Sequence, residues 1–410
     1  MEIRPILSSL LRNKTGPVLV AMQVALSLAI LANALHVVNE RRTIAARPSG
    51  MQDENATFYF AVRSLKNDTP EQMLADIKRE LDVLRAVPGV VAASLTTQMP
   101  LSNSGNNSSI SLDRRQQRES GTVSTYSADD ALVKTLGLKL VEGRDFQPHE
   151  VVDIDETKSR GRPRIAIISK PMADKLWPGT SAVGKTFYFG TGDGAEDLQV
   201  IGVVERLQTP HALVGDDGEF SAIQPARLYG LPGNLYAVRA ESGQRDRVMK
   251  EAEAALRQSS ATPMLLQART TEEDRLRRYR ADVSLSWMLV TVSVLLLLVT
   301  CSGIVGMASL WVTQRRKQIG VRRALGARKI DILRYFIVEN VMITSGGVLG
   351  GVLLGVGLNQ LLVSKLEMTR LPLVYLAGGA FLFWAIGILA AYGPAWRAAS
   401  ISPALATRST

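Results

Sequence analysis

The stretch VSLSWMLVTVSVLLLLVTCSGIVGMASLWVT, at positions 283–313, leads directly into QRRKQIGVRRALGARKIDILR at positions 314–334. The first part carries no charged residue and is longer than the roughly 20 residues that cross a bilayer. The second part holds eight Lys and Arg residues against one acidic residue, Asp331. Because short loops rich in Lys and Arg stay in the cytoplasm, this pair predicts a transmembrane helix that ends on the cytoplasmic side.

Three other apolar runs predict further membrane spans, and the basic loop orients all four. This topology predicts a multi-pass protein of the cell inner (cytoplasmic) membrane with its large domain in the periplasm. In chain order, the expected segments are a cytoplasmic N-terminal helix at 1–16, spans at 17–38, 283–313, 335–364 and 371–396, an outer domain at 39–282, a cytoplasmic segment at 314–334, an outer loop at 365–370 and a cytoplasmic tail at 397–410.

The N-terminal region has two interpretations. Ile3, Leu7 and Leu10 recur at helical spacing, which predicts an amphipathic helix on the inner leaflet. Ala32 and Ala34 flank Asn33 in an A-x-A pattern that resembles a signal-peptidase site. We favour a retained membrane anchor, because cleavage would leave the outer domain attached only at its C-terminal side.

The net charge of +10 is distributed unevenly along the chain. Positions 39–283 hold 33 basic and 34 acidic residues, which leaves 15 basic and 4 acidic residues beside the membrane spans. A nucleic-acid-binding protein would carry its basic surplus on a folded domain. The pattern therefore indicates membrane topology and contact with membrane lipid, and it excludes nucleic acid as a partner.

The outer domain alternates strands and helices, which predicts an α+β fold. Two βαβ-type units, at 57–97 and 234–269, flank an inserted, mainly β subdomain at 98–233, so the flanking parts predict a split ferredoxin-like subdomain. A stalk helix at 270–282 is expected to continue into the second span. The expected elements are strands at 57–64, 90–95, 164–169, 198–205, 235–240 and 264–268, and helices at 70–86 and 243–258.

Residues 179–186, GTSAVGKT, match the letters of a phosphate-binding loop. Such a loop works only when a strand enters it and a helix leaves it, so that helix N–H groups cradle the phosphate. Here residues 170–176 predict a helix before it, and residues 186–189 predict a strand after it. The segment also lies on the outer side, away from cytoplasmic ATP. We therefore interpret it as a turn and predict no bound nucleotide.

No other motif supports catalysis, a metal or a cofactor, so the chain is predicted not to be an enzyme. It has a single cysteine, Cys301, and three histidines far apart in sequence. The acidic pair Asp129 and Asp130 and the cluster at 153–156 are interpreted as solvated loop charges.

The third span contains glycines at three- and four-residue intervals, and this spacing lets helix backbones approach closely. The predicted packing positions are Gly346, Gly347, Gly350, Gly351 and Gly355.

The segment at 314–332 resembles the cytoplasmic signature of FtsX-like permeases, and its nearest branch is the MacB-like type of ABC transporter. Residues 392–406, YGPAWRAASISPALA, resemble the C-terminal end of that family. Residues 136–146 and 167–204 resemble its periplasmic core domain. The macrolide exporter of this family carries a fused ATPase domain, for which this chain has no room, so a separate ATPase subunit is implied.

The resemblance implies mechanotransmission: ATP binding moves a cytoplasmic coupling helix, and the motion reaches the outer domain. The implied partners are an ABC ATPase subunit, a second permease subunit as a homo- or heterodimer and, as in several family members, a periplasmic adaptor. Residues 315–325 predict the coupling helix, with Gly326 as its cap. The residues expected to contact the ATPase are Ile319, Val321, Arg322, Arg323, Ala324, Leu325 and Gly326.

The expected function is that of a non-catalytic permease subunit in export or periplasmic substrate handling. Within the family, the alternative is a force transmitter of the FtsX or lipoprotein-release type that acts on a periplasmic partner. From another class, a membrane-anchored sensor is disfavoured, because no cytoplasmic segment is long enough for a signalling domain. The transported substrate cannot be inferred from these residues.

Overall fold

The computed structural model describes residues 14–65, 68–116, 118–158, 161–212, 216–230, 233–260, 262–366 and 369–400. The amphipathic helix expected before residue 14 and the tail after residue 400 therefore lie outside the described residues. The chain divides into two compact units. A membrane unit comprises Met1–Ala45 and Ala281–Thr410, and an outer unit comprises Ala46–Arg280.

Nine α-helices are described: α1 Thr15–Ala45, α2 Pro70–Ala86, α3 Leu132–Leu136, α4 Lys170–Leu176, α5 Arg245–Ser259, α6 Thr271–Gln314, α7 Arg316–Ala324, α8 Lys329–Leu366 and α9 Leu373–Ala399. Short 3-10 turns occur at Pro148–Glu150 and Asp216–Glu219. The described strands are β1 Thr57–Ser64, β2 Val90–Thr96, β3 Asn107–Ser111, β4 Gly121–Ala128, β5 Leu140–Gly143, β6 Val152–Asp155, β7 Ile165–Ser169, β8 Thr186–Phe189, β9 Glu196–Val204, β10 Ser221–Tyr229, β11 Asn234–Ala240 and β12 Met264–Thr270.

Four helices, α1, α6, α8 and α9, are long and apolar enough to cross a membrane. This confirms the prediction of four spans. The helices extend beyond the apolar runs, because polar residues at the ends of a span continue the same helix. Helix α6 has 44 residues and α1 has 31, whereas the apolar runs alone are shorter.

The outer unit contains the ferredoxin-like arrangement expected from its two βαβ units. The strand order is β12-β1-β11-β2, and every pair in it is antiparallel. Helices α2 and α5 cover one face and share a core with the sheet, in which Phe58, Ile77, Tyr236 and Val248 are fully buried. The α+β fold class is therefore confirmed.

Helix α2 begins at a capping box. The Thr69 hydroxyl accepts from the Gln72 N–H at 3.3 Å, and the Gln72 side chain accepts from the Thr69 N–H at 3.0 Å. Pro70 occupies the first turn, where its missing N–H costs no helical hydrogen bond. Four apolar residues recur at helical spacing along α2, and three of them, Ile77, Leu81 and Leu84, are buried, while Met73 is half-buried.

The insertion continues the sheet with mixed pairing. Strand β10 runs parallel to β4 and β6 and antiparallel to β7, while β7 runs parallel to β9. Only one residue pair, Thr96 with Ala128, joins β2 to β4. Strands are the main regular structure of the insertion, which also contains the short helices α3 and α4. A second core surrounds Ile168, Phe187 and Val200, all fully buried.

The interpretation of Asp129 as a solvated charge is wrong. The residue is 1% exposed, and its carboxylate accepts hydrogen bonds from Ser94 Oγ at 2.5 Å, Arg85 Nη2 at 2.8 Å and the Ala131 N–H at 3.1 Å. Burial raises the pKa of the Asp129 carboxyl above its usual range, although these donors oppose the shift. Its neighbour Asp130 remains half-exposed.

The first turns of α6 are anchored inside the outer unit. The Tyr59 hydroxyl donates to Asp274 Oδ2 at 2.7 Å. Arg275 donates to both carboxylate oxygens of Glu54, at 2.7 and 2.9 Å. Arg278 Nε donates to the carbonyl of His211 at 2.8 Å. These contacts tie one helical segment to a β1 residue, to the loop before β1 and to a loop of the insertion.

Candidate coupling surface

The basic loop between α6 and α8 contains one short helix, α7. Gly326 ends this helix, with a φ of 94° in the left-handed region that favours glycine. The Gly326 N–H donates to the Arg323 carbonyl at 3.1 Å, and the Ala327 N–H donates to the Arg322 carbonyl at 3.1 Å. Together these two bonds form a Schellman motif. The carbonyls of Arg322 and Arg323 are thus satisfied within the chain.

One side of α7 is buried against the membrane helices. Ile319 is only 5% exposed, and Gly320 beside it is also buried. Ile319 therefore does not belong to an exposed surface, contrary to its place in the predicted coupling set. Its side chain instead holds α7 in place. The other buried members of this cluster are Ile332, Leu333, Phe336, Ala395, Ala398 and Ala399.

The opposite side of α7 is open. Val321 is 52% exposed, Ala324 is exposed, and Leu325 is 83% exposed, the highest value among large apolar side chains of the described residues. Arg322 lies over the Tyr335 ring at 5.2 Å from its centroid. We call Val321, Arg322, Ala324 and Leu325 the coupling surface. Of the other predicted residues, Arg323 is half-buried and Gly326 is exposed.

An ion pair fixes the start of α7 to α8. Arg315 Nη1 donates to both oxygens of Glu339, at 2.8 and 2.9 Å, and Glu339 is 1% exposed. Charge-assisted bonds of this kind are among the strongest polar contacts in proteins. The sequence placed Glu339 at the beginning of the third span and Arg315 in the basic loop, but it gave no sign that they pair.

The glycines of α8 pack mainly against α1. A Cβ atom at Gly347 would lie 2.7 Å from Ala21 O, and one at Gly351 would lie 2.9 Å from Leu28 Cβ. A Cβ at Gly350 would lie 3.4 Å from Ala25 Cβ of α1, and one at Gly355 would lie 3.1 Å from Leu376 Cδ2 of α9 and 3.5 Å from Ala29 Cα of α1. Gly346 differs, because a Cβ there would meet no atom within 4 Å, so it is not a packing position in the described chain.

The segment at 179–186 does not have the architecture of a phosphate loop. Helix α4 precedes it, and strand β8 follows it. Lys185 Nζ donates to Thr180 Oγ1 and lies 5.5 Å from the centre of the Trp177 ring. The lysine is thus held within its own turn. Within the described ranges, no group of three or more His, Cys, Asp or Glu side chains could hold a metal ion.

Two family models cover most of the chain. A MacB-like periplasmic core domain matches residues 20–257, and an FtsX-like permease C-terminal domain matches residues 290–403. The first match covers more than half of the chain. The second includes the basic loop, the whole of α7 and the last two membrane helices.

Curated relatives are similar over part of their length. A macrolide export ATP-binding/permease protein MacB from Bradyrhizobium diazoefficiens is 35% identical over 230 residues, which cover 52% of this chain and 33% of that protein. A second MacB, from Aeromonas hydrophila, is 28% identical over 342 residues, which cover 80% of this chain and 48% of that protein. The chain therefore spans less than half the length of these relatives.

Solved structures include the extracellular domain of the ABC-type transporter YknZ from Gram-positive bacteria. It is 18% identical, covers 52% of this chain and 100% of its own, and has a TM-score of 0.32. The family assignment rests on the two family models and on the four spans that accompany them. The chain belongs to the ABC-transporter permease family that combines a MacB-like periplasmic core domain with an FtsX-like C-terminal domain.

Proposed function

We propose that this chain is a permease subunit that couples ATP hydrolysis by a partner ABC ATPase, on a separate polypeptide, to the handling or export of a substrate on the periplasmic side. The observation that carries the proposal is the coupling surface. It presents Leu325 and Val321 among cations, on a segment that the charge pattern assigns to the cytoplasm.

An exposed apolar group beside a membrane indicates a surface that a partner protein covers. Leu325 is at the end of α7, outside the apolar runs, so lipid tails are not its expected environment. A hydrophobic groove with an acidic rim on an ATPase subunit would accept this leucine and the neighbouring Arg322. The Schellman motif at Gly326 supports this role, because it keeps the tip of α7 rigid before any partner binds.

The buried side of α7 supports a mechanical role. Ile319 packs against α8 and α9, and the Arg315–Glu339 pair ties the start of α7 to α8. A push on the coupling surface would therefore move the membrane helices together with α7. Helix α6 continues as a single helix from Thr271 to Gln314, so motion at its cytoplasmic end can be carried along its axis.

The packing of the membrane unit favours a substrate that does not cross through it. A cavity within this unit, beside Val20, Ile304 and Trp311, has a volume of about 10 Å³. That is about the minimum for one water molecule. Glycines bring α8 close to α1 and leave little room between these helices. The substrate is therefore expected to be handled by the outer unit.

A second permease subunit is proposed from the exposure of α6. Only 17% of its most apolar window is buried in the described chain, compared with 56% for α1. Trp287 and Met288 are among its exposed residues, at 63% and 57%. An apolar face of this kind suits lipid or another transmembrane helix, and a second copy or a related permease supplies such helices.

The force-transmitter alternative uses the same coupling step but a different output. The anchoring of Asp274, Arg275 and Arg278 within the outer unit would serve it equally well, because it links the beginning of α6 to several loops. The two outputs differ in what the outer unit contacts. Accumulation of a secreted compound in cells that lack the protein indicates export, whereas an altered periplasmic enzyme activity indicates force transmission.

The test is a charge placed on the coupling surface. We expect Leu325→Glu in the full-length chain to reduce the amount of ABC ATPase that co-purifies from native membranes about tenfold or more, because a carboxylate would be buried at the contact. ATP hydrolysis in the same preparation is expected to fall in parallel. The ATPase is identified by mass spectrometry, and its hydrolysis is measured by phosphate release.

Val141→Glu is the matched control. Val141 is 39% exposed and lies in the outer unit, so the same change of charge there should leave the ATPase bound. Both variants should insert in the membrane and unfold at the temperature of the unmodified chain. Wild-type ATPase binding and hydrolysis in a folded Leu325→Glu protein would contradict the proposal.

A further inference from the structure

Three residues of the outer unit have a backbone conformation that side chains rarely adopt. Leu101, Asn103 and Ala212 have φ values of 66°, 57° and 43°, and in the described part of the chain they are the only residues other than glycine with a positive φ. This left-handed region is unfavourable for a residue with a Cβ atom, because the Cβ crowds the backbone. Such conformations persist only where the surrounding structure imposes them.

The three residues lie in two loops of the insertion. Residues 99–106 lie between β2 and β3 and contain Leu101 and Asn103, whereas residues 205–212 follow β9 and contain Ala212. We call these two segments the strained loop pair. Backbone strain of this kind clusters at sites that bind a ligand or change conformation, so the pair is a candidate for a moving part of the outer unit.

The two loops are joined along their backbones. The Leu101 N–H donates to the Thr209 carbonyl at 3.4 Å, and the Asn103 N–H donates to the Pro210 carbonyl at 3.0 Å. A Cβ atom at Gly105 would lie 2.8 Å from Pro210 Cγ, which is closer than real Cβ atoms approach. Two of the residues with an unfavourable φ therefore supply the hydrogen bonds that join the loops.

The start of α6 holds the second loop from outside. Arg278 Nε donates to the His211 carbonyl at 2.8 Å, and Arg278 Nη2 donates to the Ala212 carbonyl at 3.3 Å. A charged donor makes these bonds stronger than bonds between neutral groups. His211 Nε2 in turn lies 3.4 Å from the Gly105 carbonyl oxygen in the first loop. Arg278 thus fixes the loop at the third residue with an unfavourable φ.

Apolar side chains are covered by the loop pair. Met99, Leu101 and Leu207 are buried, and Met99 and Leu207 belong to the same core as Tyr126. The Tyr126 hydroxyl donates to the carbonyl of Gln208 in the second loop at 2.7 Å. Separation of the loops would expose these apolar side chains to water, which costs free energy. Burial therefore opposes the strain in the backbone.

We propose that the strained loop pair is a latch that Arg278 keeps closed, and that a displacement of α6 which withdraws Arg278 opens it. Opening relieves the unfavourable φ values and exposes Met99, Leu101 and Leu207, whereas closing restores their burial and the hydrogen bonds between the loops. Such a balance gives two discrete arrangements of one segment. The latch depends on contacts within the outer unit alone, so it can fail while the proposed function holds, and the reverse is also true.

The experiment measures how often the latch opens. The full-length chain in lipid nanodiscs is transferred to heavy water, and exchange of the Asn103 amide is followed by mass spectrometry with electron-transfer fragmentation. Arg278→Met imitates the withdrawal of Arg278, and we expect it to speed this exchange about tenfold or more, because two charge-assisted bonds are lost. Arg280→Met is the matched control, since Arg280 is an exposed arginine on the same helix. It should exchange like the unmodified chain.

Two glycine substitutions test the strain separately from Arg278. Ala212→Gly removes the Cβ atom at a φ of 43°. We expect it to slow exchange of the Asn103 amide about threefold or more, because glycine adopts the closed conformation without strain. Ser104→Gly is the control in the same loop pair. Ser104 has no positive φ, so the added flexibility should leave the exchange unchanged or speed it.

Amides of β1 report on the rest of the outer unit and should exchange alike in all four variants. Equal exchange of the Asn103 amide in the unmodified chain, Arg278→Met and Arg280→Met would overturn the proposal. Exchange in Ala212→Gly that is not slower than in the unmodified chain would also overturn it, because no strain would then be stored at that residue. This second test stays decisive if Arg278→Met does not fold, since Ala212→Gly retains Arg278 and the carbonyls that it contacts.

Discussion

Ile319 and Leu325 show how one short helix presents two surfaces. Six positions separate them, which places their side chains about 120° apart around a helix. Ile319 is 5% exposed against α8 and α9, whereas Leu325 is 83% exposed at the end of the helix. A substitution at Ile319 is therefore expected to disturb the position of α7, while one at Leu325 changes only what α7 can bind.

A second residue-scale feature, the pairing of Glu54 with Arg275, predicts a pH dependence. Burial raises the pKa of the Glu54 carboxyl, but hydrogen bonds from Arg275 and Ser49 outweigh it and hold the pKa below its ordinary value. A carboxyl with a lowered pKa stabilises the fold above its unfolded pKa of about 4.3, and this contribution is lost as the pH falls through the folded pKa.

We expect Arg275→Met to lower the unfolding free energy of the outer unit by about 1.5–3 kcal/mol at pH 7, because the bonds involve charged groups. The difference from the unmodified chain should shrink as the pH falls below about 4, because Glu54 becomes protonated in both proteins. Thermal unfolding followed by tryptophan fluorescence at pH 7 and pH 3 measures this. An equal difference at both pH values would show that Arg275 stabilises the fold through contacts other than Glu54, such as its hydrogen bond to the Arg47 carbonyl at 3.2 Å.

At the scale of secondary structure, the close contact of α8 with α1 depends on particular glycines. A Cβ atom at Gly351 would lie 2.9 Å from Leu28 Cβ and 3.0 Å from Ala25 O. Real Cβ atoms do not approach so closely, so a side chain at this position must push the two helices apart. The spacing of the glycines predicted close packing, and the structure identifies α1 of the same chain as the neighbour.

We therefore expect Gly351→Leu to destabilise the membrane unit by about 1–2 kcal/mol or more, as in model transmembrane helix pairs. Thermal unfolding of the full chain in detergent is the measurement. Gly357→Leu is the matched control, because a Cβ at Gly357 meets no atom within 4 Å. If both variants unfold at the same temperature as the unmodified chain, the contact between α8 and α1 does not require a glycine at position 351.

At the scale of the whole molecule, the distribution of charge predicts which segments share a side of the membrane. In a Cys301→Ala background, we expect Ser104→Cys to react with a membrane-impermeant maleimide in intact spheroplasts, because Ser104 lies in the outer unit and is exposed. We expect Gln318→Cys to react only after the membrane is opened, because it lies in the basic segment.

Gln318 is the suitable position in α7, because it is exposed, whereas its neighbour Ile319 is buried and would resist labelling on either side. Labelling of Gln318→Cys from outside, together with protection of Ser104→Cys, would reverse the topology. It would also contradict the proposed site for the ATPase, since ATP is available only in the cytoplasm.

Much of the outer unit could be predicted, because each of its elements has a local signal. Alternating residues at 57–64 and the helical stripe at 70–86 gave the bounds that the structure has for β1 and α2. The repeated strand–helix–strand order then indicated the ferredoxin-like arrangement. The parallel pairing of β10 with β4 and β6 had no such signal, because strand pairing across long separations depends on the fold of the whole unit.

The sequence by itself determined the four spans, the orientation given by the basic loop, the α+β class and the family resemblance, because hydropathy, charge and periodicity are properties of neighbouring residues. Only the tertiary structure decided which polar groups are buried together. Glu80 and Tyr236 are 156 positions apart, and Ser94 and Asp129 are 35 apart, so no local pattern connects them. Such pairs exist because folding excludes water from sites where distant segments meet, and each group then needs a partner from whichever segment packs beside it.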